Sequence, residues 1–141
     1  MSKEVINLKI HSQFSICEGA IKINQLSDFC KKNKVSAVGI CDNENLSGAL
    51  EFSNELSKLG IQPIIGTTIY LKDTVDKEIF YGKISLFAKN NKGYKNLLKL
   101  SSKSYLNLKD EDNKPNISFD LLTRYLDGII ILIGGSKSFF S

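Results

Sequence analysis

Residues Asn7 to Ser15 read NLKIHSQFS, an apolar alternation that ends in an imidazole and then in polar, turn-forming side chains. A strand that closes on histidine and hydroxyl groups is one way α/β enzymes present metal ligands at the carboxyl edge of a sheet, because backbone direction aims those side chains into a crevice. His11 is the only histidine in the chain. Any such site must find its other ligands elsewhere, and they are scarce.

Outward from this stretch, the hydrophobic period switches repeatedly between two and about 3.6 residues. Val5 to Ile10 and Ser36 to Cys41 are predicted strands, each followed by a helical pattern. In the first helix Asn24 is the expected cap, Leu26, Phe29 and Cys30 recur at helical spacing, and Lys31, Lys32 and Lys34 suit the carboxyl end of the dipole. In the second, Asn45 is the expected cap, Leu46, Ala49, Leu50, Phe52, Leu56 and Leu59 the expected inner face, and Gly60 the left-handed stop. Ile61 to Leu71 is a third strand, opened by the extended Gln62-Pro63 pair.

Tyr81 to Ala88 alternates again and leads through Asn90-Asn91 into a helix over about Gly93 to Tyr105, with Tyr94, Leu97, Leu98, Ser101 and Tyr105 on the expected inner face. Leu108 to Ile117 is a charged loop. Ser118 is the expected cap of a short helix that turns Leu121, Leu122 and Tyr125 inward, and Gly128 opens a last strand, Ile129 to Ile133. That strand is purely apolar, as a parallel strand covered on both faces should be. Strands alternating with helices imply βα units and a mostly parallel sheet.

Composition places the chain among globular proteins. It has 141 residues, 42% hydrophobic and 24% charged, with two prolines. That is enough apolar surface to offset chain entropy, which excludes disordered, collagen-like and disulfide-scaffold classes. Cys17, Cys30 and Cys41 are too far apart for a CxxC pair and read as reduced thiols. No apolar run is long enough to span a bilayer, so no membrane partner is expected. A soluble, cytoplasmic protein is expected. The last apolar strand has no following helix to cover it, so the chain reads as the amino-terminal part of something larger.

The net charge of +4 is mild but unevenly spread. No acid stands between Glu78 and Asp110, where lysines cluster. Lys92, Lys95, Lys99 and Lys103, spaced by three, four and four, form one helical stripe. A solvated face is the ordinary explanation and a surface facing a polyanion the sharper one, since phosphate contacts need clustered cations but no base readout. There is no glycine-rich phosphate loop, nucleophile elbow or cysteine beside an evident base.

Five segments, NLKIHSQFSICEGAIKI from Asn7, ICDNENLSGALEF from Ile40, GIQPIIGTTIY from Gly60, NNKGYKNLLKLSSKSY from Asn90 and DGIIILIGG from Asp127, together resemble the amino-terminal PHP (polymerase and histidinol phosphatase) domain of bacterial DNA polymerase III alpha subunits. The resemblance covers nearly the whole chain. It implies an α/β fold of the metallo-dependent phosphoesterase kind, an incomplete, distorted βα barrel of which residues 1–141 form the first part. In metal-competent members the matching motifs look like HLHxHS, TDH and IIGxE and help build a multinuclear metal cluster. Such a cluster would acidify bound water and clamp the oxygens of a phosphoester.

Aligned on those motifs, this chain has Lys9 in place of the first imidazole, keeps His11 and Asp42, and has Asn43 and Thr68 in place of the next histidine and the acid. An ammonium has no lone pair at neutral pH. Lys9 either fills the vacated metal space and pairs with Asp42 or is an exposed strand residue beside an ordinary loop carboxylate. His11 is either a hydrogen-bonded structural residue or a ligand. The expectation is therefore a degenerate site, with no metal, cofactor or catalytic residue in this segment.

What the resemblance implies for the parent is DNA-directed DNA synthesis in replication, a nucleotidyltransferase reaction whose aspartates and magnesium lie outside this segment. Its expected partners are a proofreading exonuclease subunit, other replicase subunits and DNA. The segment would stabilise the polymerase and dock the exonuclease. The alternative is a stand-alone PHP metal-dependent phosphoesterase. A third class, a basic nucleic-acid-binding module, rests on the lysine stripe alone.

Overall fold

A computed structural model of the chain describes residues 5–75, 77–109, 112–134 and 139. The elements follow as α1 (Ile23–Lys32), β1 (Ala37–Asn43), α2 (Ala49–Lys58), β2 (Gln62–Val75), β3 (Glu78–Ala88), α3 (Asn91–Leu106), β4 (Asn116–Ile117), α4 (Phe119–Thr123) and β5 (Ile129–Leu132). The strands form one sheet in the order β1-β2-β3-β5, with β4 beside β2. β1 pairs in parallel with the first half of β2, up to Asn43 opposite Thr68, and β4 pairs in parallel further along at Tyr70 and Leu71. β3 is antiparallel to β2, and β5 is antiparallel to β3. Thus β1, β2, β4 and β5 share one direction and β3 alone opposes it.

Strand side chains alternate between faces, and here the two faces differ in chemistry. Val38, Ile40, Ile65, Ile69, Leu71, Ile84 and Leu86 meet the helices, forming one cluster with Leu26, Cys30, Phe52 and Leu56 and another with Leu97, Leu100 and Leu122. Each such side chain contributes about 1.5–3 kcal/mol when fully buried. The opposite face carries Cys41, Asn43, Thr68, Tyr70, Lys83 and Ser85, as the register requires.

Several expected boundaries and faces move. Val5 to Ile10 is not a regular strand. It lies along the edge of β1 through a single parallel bridge, Ile10 to Ile40, and through hydrogen bonds from the Gly39 amide to the Asn7 carbonyl (2.7 Å) and from the Cys41 amide to the Ile10 carbonyl (2.8 Å). Gly39 permits this approach, because a Cβ there would stand 2.5 Å from the Leu8 carbonyl oxygen. α1 begins at Ile23, ahead of Asn24: Ile23 is buried, and the Gln25 side chain accepts from the Lys22 amide. α2 begins after Gly48, and Asn45 instead clamps the preceding loop by donating to the Phe14 and Asn43 carbonyls. Leu50 and Leu59 point outward, whereas Ala49, Phe52 and Leu56 are buried and Gly60 takes the expected left-handed turn.

The inner face of α3 is Gly93, Asn96, Leu97, Leu100 and Ser104, so of the expected set Leu97 alone is fully buried. Its cap is Asn90, whose side chain accepts from the Gly93 amide. Ser118 caps α4 as expected. β5 departs most. It is an antiparallel edge strand with one face open, leaving Ile130 48% and Leu132 41% exposed.

Candidate functional site

The turn after Ile10 folds over the carboxyl end of β1. Both Asp42 carboxylate oxygens are engaged there: Oδ1 accepts from the Ser12 amide (2.6 Å) and the Ser15 hydroxyl (2.7 Å), and Oδ2 accepts from the Ser12 hydroxyl (2.7 Å). Ser12, Ser15 and Asp42 are all buried. The Ser15 oxygen in turn accepts from the Asn43 amide (3.1 Å), and the Thr67 hydroxyl reaches the Asp42 carbonyl (2.8 Å). Charge-assisted bonds of this kind are about twice as strong as neutral ones, so Asp42 fastens the turn to the sheet. Gly19 lets the turn close, since a Cβ there would stand 1.9 Å from the Ser12 carbonyl oxygen.

Sheet alternation separates Asp42 from the other motif positions. Asp42 lies opposite Thr67 on the helix-bearing face, whereas Asn43 lies opposite Thr68 on the other. Thr68 is buried, with its hydroxyl 3.3 Å from that of Ser85 and 3.4 Å from the Cys41 thiol. Asn43 donates through its side-chain amide to Glu18, whose other carboxylate oxygen receives the Lys83 ammonium at 3.3 Å. Burial works against ionisation of Glu18, but Asn43 and Lys83, with a smaller contribution from His11, hold its carboxyl below the ordinary value. His11 Nδ1 is buried without a hydrogen-bond partner.

Lys9 does not pair with Asp42: the ion pairs of the described residues do not include it. At the Cys41 thiol burial raises the pKa, and the Thr68 and Ser85 hydroxyls and, to a smaller extent, the Lys9 charge only partly offset it. Both Asp42 oxygens are already taken by the Ser12 and Ser15 donors, which leaves the expected ion pair unmade. The lysine stripe is also partly engaged. Lys92 pairs with Asp127 at 2.6 Å, and the Lys99 ammonium lies 5.7 Å from the Tyr125 ring centre.

The fold thus brings His11, Glu18, Asn43, Thr68 and Lys83 toward one face and sets Asp42 apart. Ser12, Ser15, Glu18 and Lys83 were not singled out from the sequence. Glu18 had one available signal, as the only acid between Val5 and Ser27, but its partners are 25 and 65 residues away. Among the described residues no three His, Cys, Asp or Glu side chains gather as a metal-binding group. Asn43 and Thr68 are neutral, Lys83 brings positive charge, and Asp42 spends both oxygens on serine and amide donors. The residues present do not fit a multinuclear cluster.

Comparison with known proteins finds relatives over nearly the whole chain. The PHP domain family model matches residues 7–141. Proteins named DNA polymerase III subunit alpha are similar to the chain: that of Borreliella burgdorferi at 42% identity over 89% of this chain, that of Aquifex aeolicus at 38% over 94%, and that of Haemophilus influenzae at 34% over 94%. The chain spans only 11%, 12% and 11% of their respective lengths. A solved chain from Bifidobacterium adolescentis, described as a metal-dependent phosphoesterase, is 16% identical with a TM-score of 0.46, over 95% of this chain and 46% of that one. No helix among the described residues is long and apolar enough to cross a membrane.

Proposed function

Because the chain belongs to the PHP domain family, we propose that it is the amino-terminal part of the PHP domain of a cytoplasmic, replicative DNA polymerase III alpha subunit, and that within it this segment is structural. The observation that carries the reading is the engagement of Asp42: a carboxylate with three donors on its two oxygens holds a turn in place and is poorly disposed to hold an ion. The relatives' name supports template-directed DNA synthesis as the parent activity; the magnesium for it would be bound elsewhere in the parent.

On this reading the sheet and its helices are the first units of an incomplete βα barrel. The open face of β5, with Ile130 and Leu132, is where further units of the parent would pack, since an apolar edge left bare invites pairing with other chains. The segment would then support the polymerase and dock a proofreading exonuclease subunit. Deleting residues 1–141 from the parent should weaken exonuclease binding at least tenfold in a pull-down titration while leaving the polymerase aspartates in place. A truncated parent with undiminished stability and exonuclease affinity would remove the docking role. Hydrolysis of a phosphate ester by the isolated chain, lost in His11→Ala, would favour a stand-alone phosphoesterase instead.

A further inference from the structure

Tyr70 and Tyr81 are diagonal neighbours across the β2–β3 ladder. Their rings stack with centroids 4.8 Å apart and planes 10° from parallel. Two ammonium groups stand beside Tyr70, Lys83 at 5.4 Å and Lys114 at 5.0 Å from its ring centre, and Lys114 also donates to the Tyr70 hydroxyl at 3.1 Å. Tyr81 is 46% exposed although one side of its ring is covered by Tyr70. Two stacked rings that end in open solvent are incomplete as a packing unit: a further flat ring would continue the pile.

We propose that this stack is a binding site for one unstacked nucleotide of single-stranded nucleic acid, the base lying on the outer side of Tyr81 and the phosphate between Lys83 and Lys114. Aromatic platforms beside lysines are how proteins hold single strands without reading sequence, since every base has a π-face. The site lies beyond Thr68 along β2; it takes Tyr70 from the end of the third motif segment and shares Lys83 with the Glu18 contact, but it uses none of the positions Lys9, His11, Asp42, Asn43 and Thr68.

The surrounding charges set what the site can do. Glu18 faces Lys83, Asp112 faces Lys72, and Glu44 acts on Tyr81 and Lys114 from the end of β1. Acids and lysines nearly balance, so affinity should come more from stacking than from counterion release. Burial, then Tyr70, Glu44 and Asp112, push the Tyr81 hydroxyl up to about 12, which keeps the ring neutral beside a phosphate at any physiological pH. With one or two phosphates contacted, the logarithm of the binding constant should fall with the logarithm of salt at a slope of only about 1. A strand lying along the α3 lysines would give a steeper one.

The test titrates the chain with a thymidine tetranucleotide and follows tyrosine fluorescence, which no tryptophan obscures. Saturable quenching is expected. Tyr81→Leu should weaken binding about tenfold or more, as loss of one base–aromatic stack does elsewhere. Lys114→Gln should weaken it about threefold, the size of one modest phosphate contact. Tyr81→Phe, which keeps the ring, should bind within about twofold of the parent and remains informative if the leucine variant misfolds. Lys95→Gln and Lys103→Gln should change nothing. No saturable binding, equal binding by Tyr81→Leu, dependence on Lys95 or Lys103, or full competition by inorganic tripolyphosphate at equal phosphate concentration would each overturn the proposal.

Discussion

Asp42 on β1 and Glu18 in the turn after Ile10 are two carboxylates where that turn meets the sheet, and they are used in opposite ways. Asp42 is buried and closed off by the two serines and an amide; Glu18 is held by an asparagine and a lysine at a half-open surface. To share a metal ion, both would have to offer free oxygens to one cavity. Alternation along β1 denies this, because residue 42 and residue 43 project from opposite faces and Glu18 follows Asn43. The junction of turn and sheet is thus divided into an anchor and a tunable surface contact, and the two should respond very differently to mutation and to pH.

The largest expected effect lies at the anchor. Asp42→Ala leaves the Ser12 amide and two hydroxyls buried without acceptors, and should cost about 3 kcal/mol or more in a urea unfolding titration, given about 1–3 kcal/mol for each orphaned group with some relaxation. A loss under about 1 kcal/mol would mean that the turn is held by its apolar contacts and not by the carboxylate. Ser15→Ala removes one of the three donors and the acceptor of the Asn43 amide, and should cost about 1–2 kcal/mol.

How far this was legible follows residue by residue. The alternation of strands and helices, the Ser118 cap and the Gly60 stop are local patterns and could be read directly. The α3 face could not. Counting apolar residues favours the side of Tyr94, Leu98 and Tyr105, but the helix seats Gly93 against Gly128, where a Cβ would meet the Gly128 carbonyl oxygen at 1.8 Å, and buries Asn96 and Ser104, which donate to the Asp127 and Ser101 carbonyls. Small and self-satisfied polar residues carry no hydropathy signal. β5 reads as doubly covered because it is purely apolar, yet one face is bare. At the site, Lys9, His11, Asp42, Asn43 and Thr68 were found by motif, whereas which of them share a face depends on strand register, and the serine and Glu18 contacts span 25 to 65 residues.

At the surface contact the effects should be small. Glu18→Gln should change stability by no more than about 0.5 kcal/mol, as for exposed ion pairs generally. The sign of its pH dependence is set by the depressed folded value: whatever Glu18 contributes is present at neutral pH and is lost as the pH falls through that value. Asp112, held near 2 by the Lys72 ammonium and then the Lys109 amide, should lose its contribution only between about pH 4 and pH 2. Side-chain carboxyl chemical shifts followed through an acid titration would check both, and a Glu18 midpoint above the ordinary glutamate value would show that burial outweighs its two partners.

The central proposal, that Asp42 serves as a hydrogen-bonded anchor and not as a metal ligand, is tested most directly by elemental analysis of the purified chain after exposure to zinc and manganese and extensive dialysis, with hydrolysis of a phosphate ester measured on the same sample. The account predicts less than stoichiometric metal and no hydrolysis above background. Stoichiometric metal together with hydrolysis abolished by His11→Ala would contradict it.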